Sequence, residues 1–202
     1  MNIAILGASG NVGSRLVAEA LSRGHRVTAV ARNANAAADT AQLRHIAAAV
    51  GDPSLADRLA GHDAIVSAIH FTQAGPEALL MLVRKSGVKR YLVVGGAGSL
   101  EIAPGKALVD TPDFPAAYAE EAQAGKAFLG ALRGADDLNW TFLSPSALLV
   151  AGERTGKFRL GGDELLVDAH GKSWISMEDY AVAMLDEVER PAHERKRFTV
   201  GY

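Results

Sequence analysis

The chain of 202 residues contains no cysteine. That absence excludes disulfides, thiolate nucleophiles, zinc ribbons and iron–sulfur ligation. Its six histidines (His25, His45, His62, His70, His170 and His193) are scattered, with no His-x-x-x-His pair and no carboxylate–histidine cluster, so no metal site is expected. No apolar stretch approaches the ~20 residues a membrane-spanning helix needs. The N-terminus lacks the basic segment that precedes the apolar run of a signal peptide. Neither sign of charge is in excess: 21 Lys and Arg against 23 Asp and Glu give a net charge of −2. This leaves no electrostatic footprint for nucleic acid or an anionic membrane, so neither is an expected partner. A cytoplasmic location is the expectation. With 49% hydrophobic residues the chain can bury a large core, read as one domain over residues 1–202.

What is present is concentrated at the front. Gly7-Ala8-Ser9-Gly10-Asn11-Val12-Gly13 follows directly on the apolar run Ile3-Ala4-Ile5-Leu6. A buried parallel strand reads as such a run, and Val12, Leu16, Val17, Ala20 and Leu21 then recur at helical spacing. Strand, glycine turn and helix N-terminus together form an anion site, because unpaired helix N–H groups and the positive end of the macrodipole face the loop. Gly7 permits the turn, Gly10 lets backbone approach a pyrophosphate, and Gly13 lets helix and strand pack closely. The spacing is Gly-x-x-Gly-x-x-Gly and no Gly-Lys-Ser/Thr follows, so the loop reads as dinucleotide-binding and not as a Walker loop.

Strand and helix signals alternate along the chain, which predicts α/β architecture: a Rossmann-like, doubly wound parallel sheet. Strands are expected near Ile3–Leu6, Val27–Ala31, Ile46–Val50, Ala64–Ile69, Tyr91–Val94 and Trp140–Leu143. Helices are expected near Val12–Ser22, Pro53–Ala60, Pro76–Ser86 and Ala116–Arg133, with Ala34–Ala41 either a short helix or a loop. The last third reads as a small substrate-side extension. Lys157–Val167 with Gly161-Gly162-Asp163 carries a hairpin signal, Ser176 to Asp179 a capping box opening a helix to about Glu189, and Arg197–Val200 a last strand.

Ligands in open α/β sheets bind beyond the carboxyl ends of the strands, so the strand-following segments carry the chemistry. After the second strand stands Ala31-Arg32-Asn33, with no carboxylate before Asp39. An Asp or Glu there would read the 2′-hydroxyl of NAD; an Arg suits a 2′-phosphate, so NADP(H) is expected over NAD(H). Arg15 and Ser9 are candidate helpers, Arg15 reading also as a surface residue of the first helix. Asp52 after the third strand is expected either to cap the helix ahead of Pro53 or to accept from the adenine amino group. Ile69 and His70 follow the fourth strand; His70 reads either as a ribose or proton contact or as a strand-end histidine bonded to backbone. Gly95 and Gly96 follow the fifth, and Pro145, Ser146 and Ala147 the sixth, as positioning segments.

Taken together, the glycine turn, Ala31-Arg32-Asn33, Gly51-Asp52, Gly87-Val88-Lys89-Arg90 and Trp140–Pro145 resemble the atypical short-chain dehydrogenase/reductases of the NmrA-like, NAD(P)H-binding group. The segment Val93–Glu101 is most similar to the NADH–flavin reductases of that group, with a more distant likeness to biliverdin reductase B. The resemblance covers nearly the whole chain and implies cofactor and fold more firmly than substrate, since the group includes redox-sensing regulators. In one place the chain departs from the enzymatic pattern, a Tyr-x-x-x-Lys helix. After Tyr118 the fourth position is Ala122, and Lys126 lies eight residues on. The serine that closes the fifth strand is replaced by Gly95-Gly96, with Ser99 further along.

A site without that relay suits hydride transfer to a flavin, a quinone or a similar planar acceptor, for which no protein acid is needed. FMN or FAD would then be a substrate and not a tightly held group. His70, Tyr118 and Ser99 are the only candidates for direct participation. The long segment 96–115 is the candidate flap, and Trp174, Phe114 and Tyr118 the candidate flat surfaces. The alternative is a non-catalytic NADP(H)-binding sensor; an isomerase is a third, weaker reading. A monomer or a homodimer is expected.

Overall fold

The computed structural model describes residues 1–33 and 39–202; most of the 34–41 stretch, read as helix or loop, lies outside them. The first strand, β1 (Asn2–Leu6), is buried on both faces because side chains alternate across a strand. Ile3 and Ile5 enter one core layer, Ala4 and Leu6 the other. α1 (Asn11–Ser22) leads to β2 (Arg26–Ala31) and β3 (Leu43–Ala47); α2 (Leu55–Leu59) leads to β4 (Ala64–Ser67), and α3 (Pro76–Ser86) to β5 (Arg90–Val94). A small hairpin, β6 (Glu101–Ala103) with β7 (Lys106–Ala107), precedes α4 (Ala116–Arg133) and β8 (Asn139–Pro145). The remainder comprises β9 (Leu148–Val150), β10 (Arg159–Gly161), β11 (Trp174–Ser176), α5 (Met177–Glu189) and β12 (Lys196–Gly201).

Among the described residues eight strands form one sheet in the order β10-β12-β8-β5-β4-β1-β2-β3, parallel throughout except for β10. The chain starts at β1, winds outward to β3, then crosses back to β4 on the other side of β1. The switch point of the topology therefore lies between the carboxyl ends of β1 and β4. Leu16 and Ala20 of α1 pack with Tyr180, Met184 and Val188 of α5 over one face. Leu55 and Leu59 of α2, Val83 of α3, and Phe128 and Leu132 of α4 cover the other. Among the described residues no helix is long and apolar enough to cross a membrane.

Three sequence expectations shift. β3 begins at Leu43, three residues before the expected Ile46: an edge strand here buries only Ile46, so Arg44 and His45 join the ladder with β2 without a burial cost. α2 starts at Leu55, leaving Pro53 outside it, with Ser54 as the N-cap residue. The expected hairpin over 157–167 does not form. β10 pairs with β12 instead, and the chain then turns away to bond β6: Glu101 N–H donates to Asp163 O (2.8 Å) and Leu165 N–H to Glu101 O (2.9 Å).

Ser176 does cap α5, its Oγ accepting from Asp179 N–H at 3.0 Å. The Asp179 carboxylate does not reciprocate; it accepts from Gly156 N–H (2.8 Å) and the Tyr202 hydroxyl (2.7 Å). α3 and α4 span the expected residues. Pro76 opens α3, and Gly87 closes it in the left-handed conformation at φ 74°.

Candidate functional site

Gly7 adopts φ 77°, and a Cβ there would lie 2.6 Å from the Ala68 carbonyl oxygen, so the turn after β1 touches the end of β4 directly. A Cβ on Gly13 would stand 2.1 Å from the Gly7 carbonyl oxygen, so glycine is required where α1 lies on the turn. Gly10 differs from both. Its Cβ would meet only Gly7 O, at 3.3 Å, and otherwise enter open space. Among the described residues no side chain caps α1, and no acidic residue sits in its first turn. The N–H groups of that turn are thus left for an anion, which fits the pyrophosphate of a dinucleotide.

Above this turn a cavity of about 1140 Å³ runs along the carboxyl ends of the strands. Gly7, Ser9, Gly10, Asn11 and Val12 form its floor, and Arg32 lies at the β2 end, exposed. Ile69 and His70 line it after β4, Gly95 and Gly96 after β5, and Pro145 at the end of β8 with Ala147 just beyond. Ser99 and Tyr118 line it too, Tyr118 with 66% of its surface exposed.

Three expected residues stand elsewhere. Gly13 lies behind the turn, in its packing role. Asp52 does not line the cavity: its Oδ1 accepts from Ser54 N–H (2.9 Å) and Ser54 Oγ (2.8 Å), and the Ser54 hydroxyl, foremost, holds the carboxyl below the usual carboxylate range. Ser146 is buried against β12, its hydroxyl donating to Val200 O at 3.2 Å beside Gly201. Of the helpers, Arg15 is bonded to Glu178 at 3.0 Å. Trp174 packs edge-on against Tyr202, ring centroids 4.4 Å apart, outside the cavity; Phe114 lines it. The 96–115 segment is ordered by two 3₁₀ turns and the β6–β7 hairpin, with Leu100 and Val109 buried.

The structure adds residues the sequence reading missed. Ala48, Ala49 and Val50 line the cavity beside Gly51 of the expected strand-following segment and with Leu55, Ala74 and Ala78, an apolar slot at the Arg32 end. Its signal was the alanine run after Ile46, which the reading absorbed into the strand. On α4, Tyr118, Glu121, Ala122 and Gly125 all face the cavity at helical spacing. Glu121 accepts from Phe71 N–H (2.7 Å), Thr72 N–H (3.1 Å) and Thr72 Oγ1 (2.8 Å), with His70 Nδ1 at 3.3 Å. Burial raises its pKa, but these bonds outweigh burial and the net shift is downward, so Glu121 is a carboxylate that fastens the β4–α3 loop. His70, 69% exposed at its side chain, thus has a carboxylate neighbour and no backbone partner among the described bonds.

Where a short-chain enzyme carries its lysine, Ala122 meets the glycine loop: a Cβ on Gly98 would lie 2.7 Å from the Ala122 Cβ. Gly95 has no room for a side chain either, since its Cβ would stand 2.3 Å from the Phe142 ring. Ser99 Oγ lies 3.4 Å from Arg197 Nη1, and Lys126 Nζ is paired with Asp110 at 2.6 Å.

A glycine turn under a cleft at the sheet's switch point defines a dinucleotide-binding Rossmann domain. A profile of the family described as NAD(P)H-binding matches residues 7–191, and the chain belongs to that family. It is similar to a crystal structure from Burkholderia pseudomallei provisionally called an exported protein (48% identity, 100% of both chains, TM-score 0.90). A provisionally named epimerase from Bacteroides thetaiotaomicron matches with 41% identity over 100% of this chain and 96% of that one, TM-score 0.93. A provisionally named NADH-flavin reductase from Streptococcus pneumoniae matches with 35% identity over 100% and 99%, TM-score 0.87.

Proposed function

We propose that this protein is an NAD(P)H-dependent reductase, NADPH-preferring, that passes hydride to a flavin, a quinone or a similar planar acceptor without a Tyr–Lys proton relay. The observation that carries the reading is Ala122 lying against Gly98 at the relay position, within a cavity whose floor fits a dinucleotide. The glycine turn would hold the pyrophosphate, Arg32 the 2′-phosphate, and Gly95, Gly96, Pro145 and Ala147 the nicotinamide end. When bound, NAD(P)H supplies the hydride. The chain supplies orientation, and an acceptor that delocalises its new charge takes its proton from water. The name of the Streptococcus pneumoniae protein agrees with this reading; isomerase chemistry, as the Bacteroides name suggests, would call for the missing tyrosine–lysine pair. We place the protein in the cytoplasm, as a monomer or homodimer acting on a small molecule, with no nucleic-acid or membrane partner.

Steady-state oxidation of NADPH with FMN, riboflavin or a quinone tests the reading. Tyr118→Phe and His70→Ala are each expected to leave the single-turnover rate nearly intact. A positioned general acid contributes on the order of 10²- to 10⁴-fold, so a loss above about 100-fold with cofactor binding unchanged would show that a protein acid operates. No turnover with any acceptor would favour the second reading, an NADP(H)-binding sensor, to which the missing relay also points.

Arg32→Asp is expected to weaken NADPH binding roughly 10- to 100-fold, the loss of a charge-assisted phosphate bond, while NADH binding holds or improves. Dissociation constants for both dinucleotides decide it. An NADPH affinity changed by less than about threefold assigns the 2′-phosphate to another group.

A further inference from the structure

At its β5 and β8 end the cavity is lined by more than Gly95 and Pro145. Phe114 and Tyr118 wall it from the flap and α4, and Leu148, Leu149 and Met177 from β9 and the start of α5. These are apolar or aromatic surfaces, suited to a flat ring system. The charges at this end are unevenly distributed. Lys126 is its one lining cation among the described residues besides His70 at the loop, and its ammonium lies 2.6 Å from Asp110, which cancels it locally. Asp113 and Glu121 also line the cavity, and Glu121 is held as a carboxylate by Thr72 and Phe71. Arg197, whose Nη1 lies 3.4 Å from Ser99 Oγ behind the glycine loop, is engaged by Asp163 (Nε to Oδ1, 2.6 Å). Arg32 stands at the opposite end, after β2.

A phosphorylated flavin would bring a dianion to this end of the cavity, where among the described residues the lining lysine is already paired with Asp110 and two carboxylates, Asp113 and Glu121, oppose it. From this distribution we infer that the acceptor is an uncharged planar ring system, of the riboflavin or quinone class, and that Asp113, Glu121 and the Lys126–Asp110 pair select against phosphorylated flavins. The inference rests on the reductase reading of the same site and goes one step further, to the charge of the substrate. Like-charge opposition of this kind is worth roughly tenfold in specificity at low salt and is screened as salt rises.

The experiment compares kcat/KM for riboflavin, FMN and menadione at saturating NADPH, in low and high salt. Riboflavin and menadione are expected to exceed FMN by roughly tenfold at low salt, with the gap narrowing at high salt. Asp110→Asn, which frees the Lys126 ammonium, is expected to raise the FMN-to-riboflavin ratio at least about threefold. An FMN value equal to or above that for riboflavin, or a gap indifferent to both salt and Asp110→Asn, overturns the inference while leaving the reductase reading standing. If no acceptor turns over, the reductase reading fails, and flavin fluorescence titration in the presence of NADP⁺ decides the inference separately. Tighter riboflavin than FMN sustains it; equal or weaker riboflavin overturns it.

Discussion

Gly10→Val is expected to abolish NAD(P)H binding, a loss beyond about 100-fold, while the melting temperature stays within a few degrees of the parent. Gly10 has φ −75° and ψ 171°, a conformation any residue adopts, so valine brings no backbone strain. The space a Cβ would enter holds only Gly7 O at 3.3 Å and is otherwise the cavity floor. The branched side chain would therefore occupy the approach to the first-turn N–H groups without disturbing the packing beneath. Gly13→Val is the contrasting control. A Cβ 2.1 Å from the Gly7 carbonyl forces α1 off the turn, and overpacking of this kind costs about 1–3 kcal/mol or more. Fluorescence titration with NADPH and a thermal melt on both variants separate the two roles. Retained affinity in Gly10→Val with an unchanged melt would remove the pyrophosphate from this loop.

That pair also shows why this part of the molecule was legible in the sequence. Gly10 and Gly13 each answer a need set within a few residues: an open floor, and a helix resting on the Gly7 carbonyl. The ends of α3 are legible for the same reason, since Pro76 and Gly87 act on their own helix termini. Asp52 was legible only in part. Its carboxylate does bond locally, to Ser54, but Ser54 and not Asp52 is the N-cap residue of α2, and the carboxylate does not line the cavity.

The misread positions depend on partners far along the chain. Ser146 looked like a cavity residue by its place after β8, yet Gly201, 55 positions on, leaves the gap its hydroxyl fills. The Gly161-Gly162-Asp163 turn signals a hairpin locally, but the edge offered by β12 and the bonds offered by Glu101 determine where the strand goes. Glu121 carried a signal that was passed over: it shares a helical stripe with Tyr118 and Ala122. Only the structure shows that its partners are the Phe71 and Thr72 amides.

The Gly87-Val88-Lys89-Arg90 motif contributed to the family resemblance, and the structure gives its last residue a reason to be there. Arg90 and Glu187 form an ion pair at 2.9 Å with side chains only 9% and 3% exposed. Arg90 also donates to Thr141 Oγ1 at 2.7 Å, while Glu187 accepts from His193 N–H (2.9 Å) and faces His193 Nδ1 (2.8 Å). Burial pulls the Arg90 pKa below its ordinary value, with Glu187 opposing that shift. The pair ties the start of β5 to α5 and to the turn before β12. Glu187→Ala leaves a buried guanidinium without its counter-charge, and breaking a buried pair this way costs about 3–5 kcal/mol. For a chain of this length that is a fall in Tm of roughly 10 °C. Arg90→Met combined with Glu187→Leu, which removes both charges and keeps the volume, is expected to recover most of the loss, because the cost lies in the orphaned charge. Thermal melts of the two variants check both statements. A single-variant shift below about 3 °C would mean that water reaches Arg90 when Glu187 is gone. A double variant as unstable as the single would mean that the bonds from Glu187 to His193 and Ala192 carry the stability, and that the β5 anchor is secondary to the α5–β12 turn.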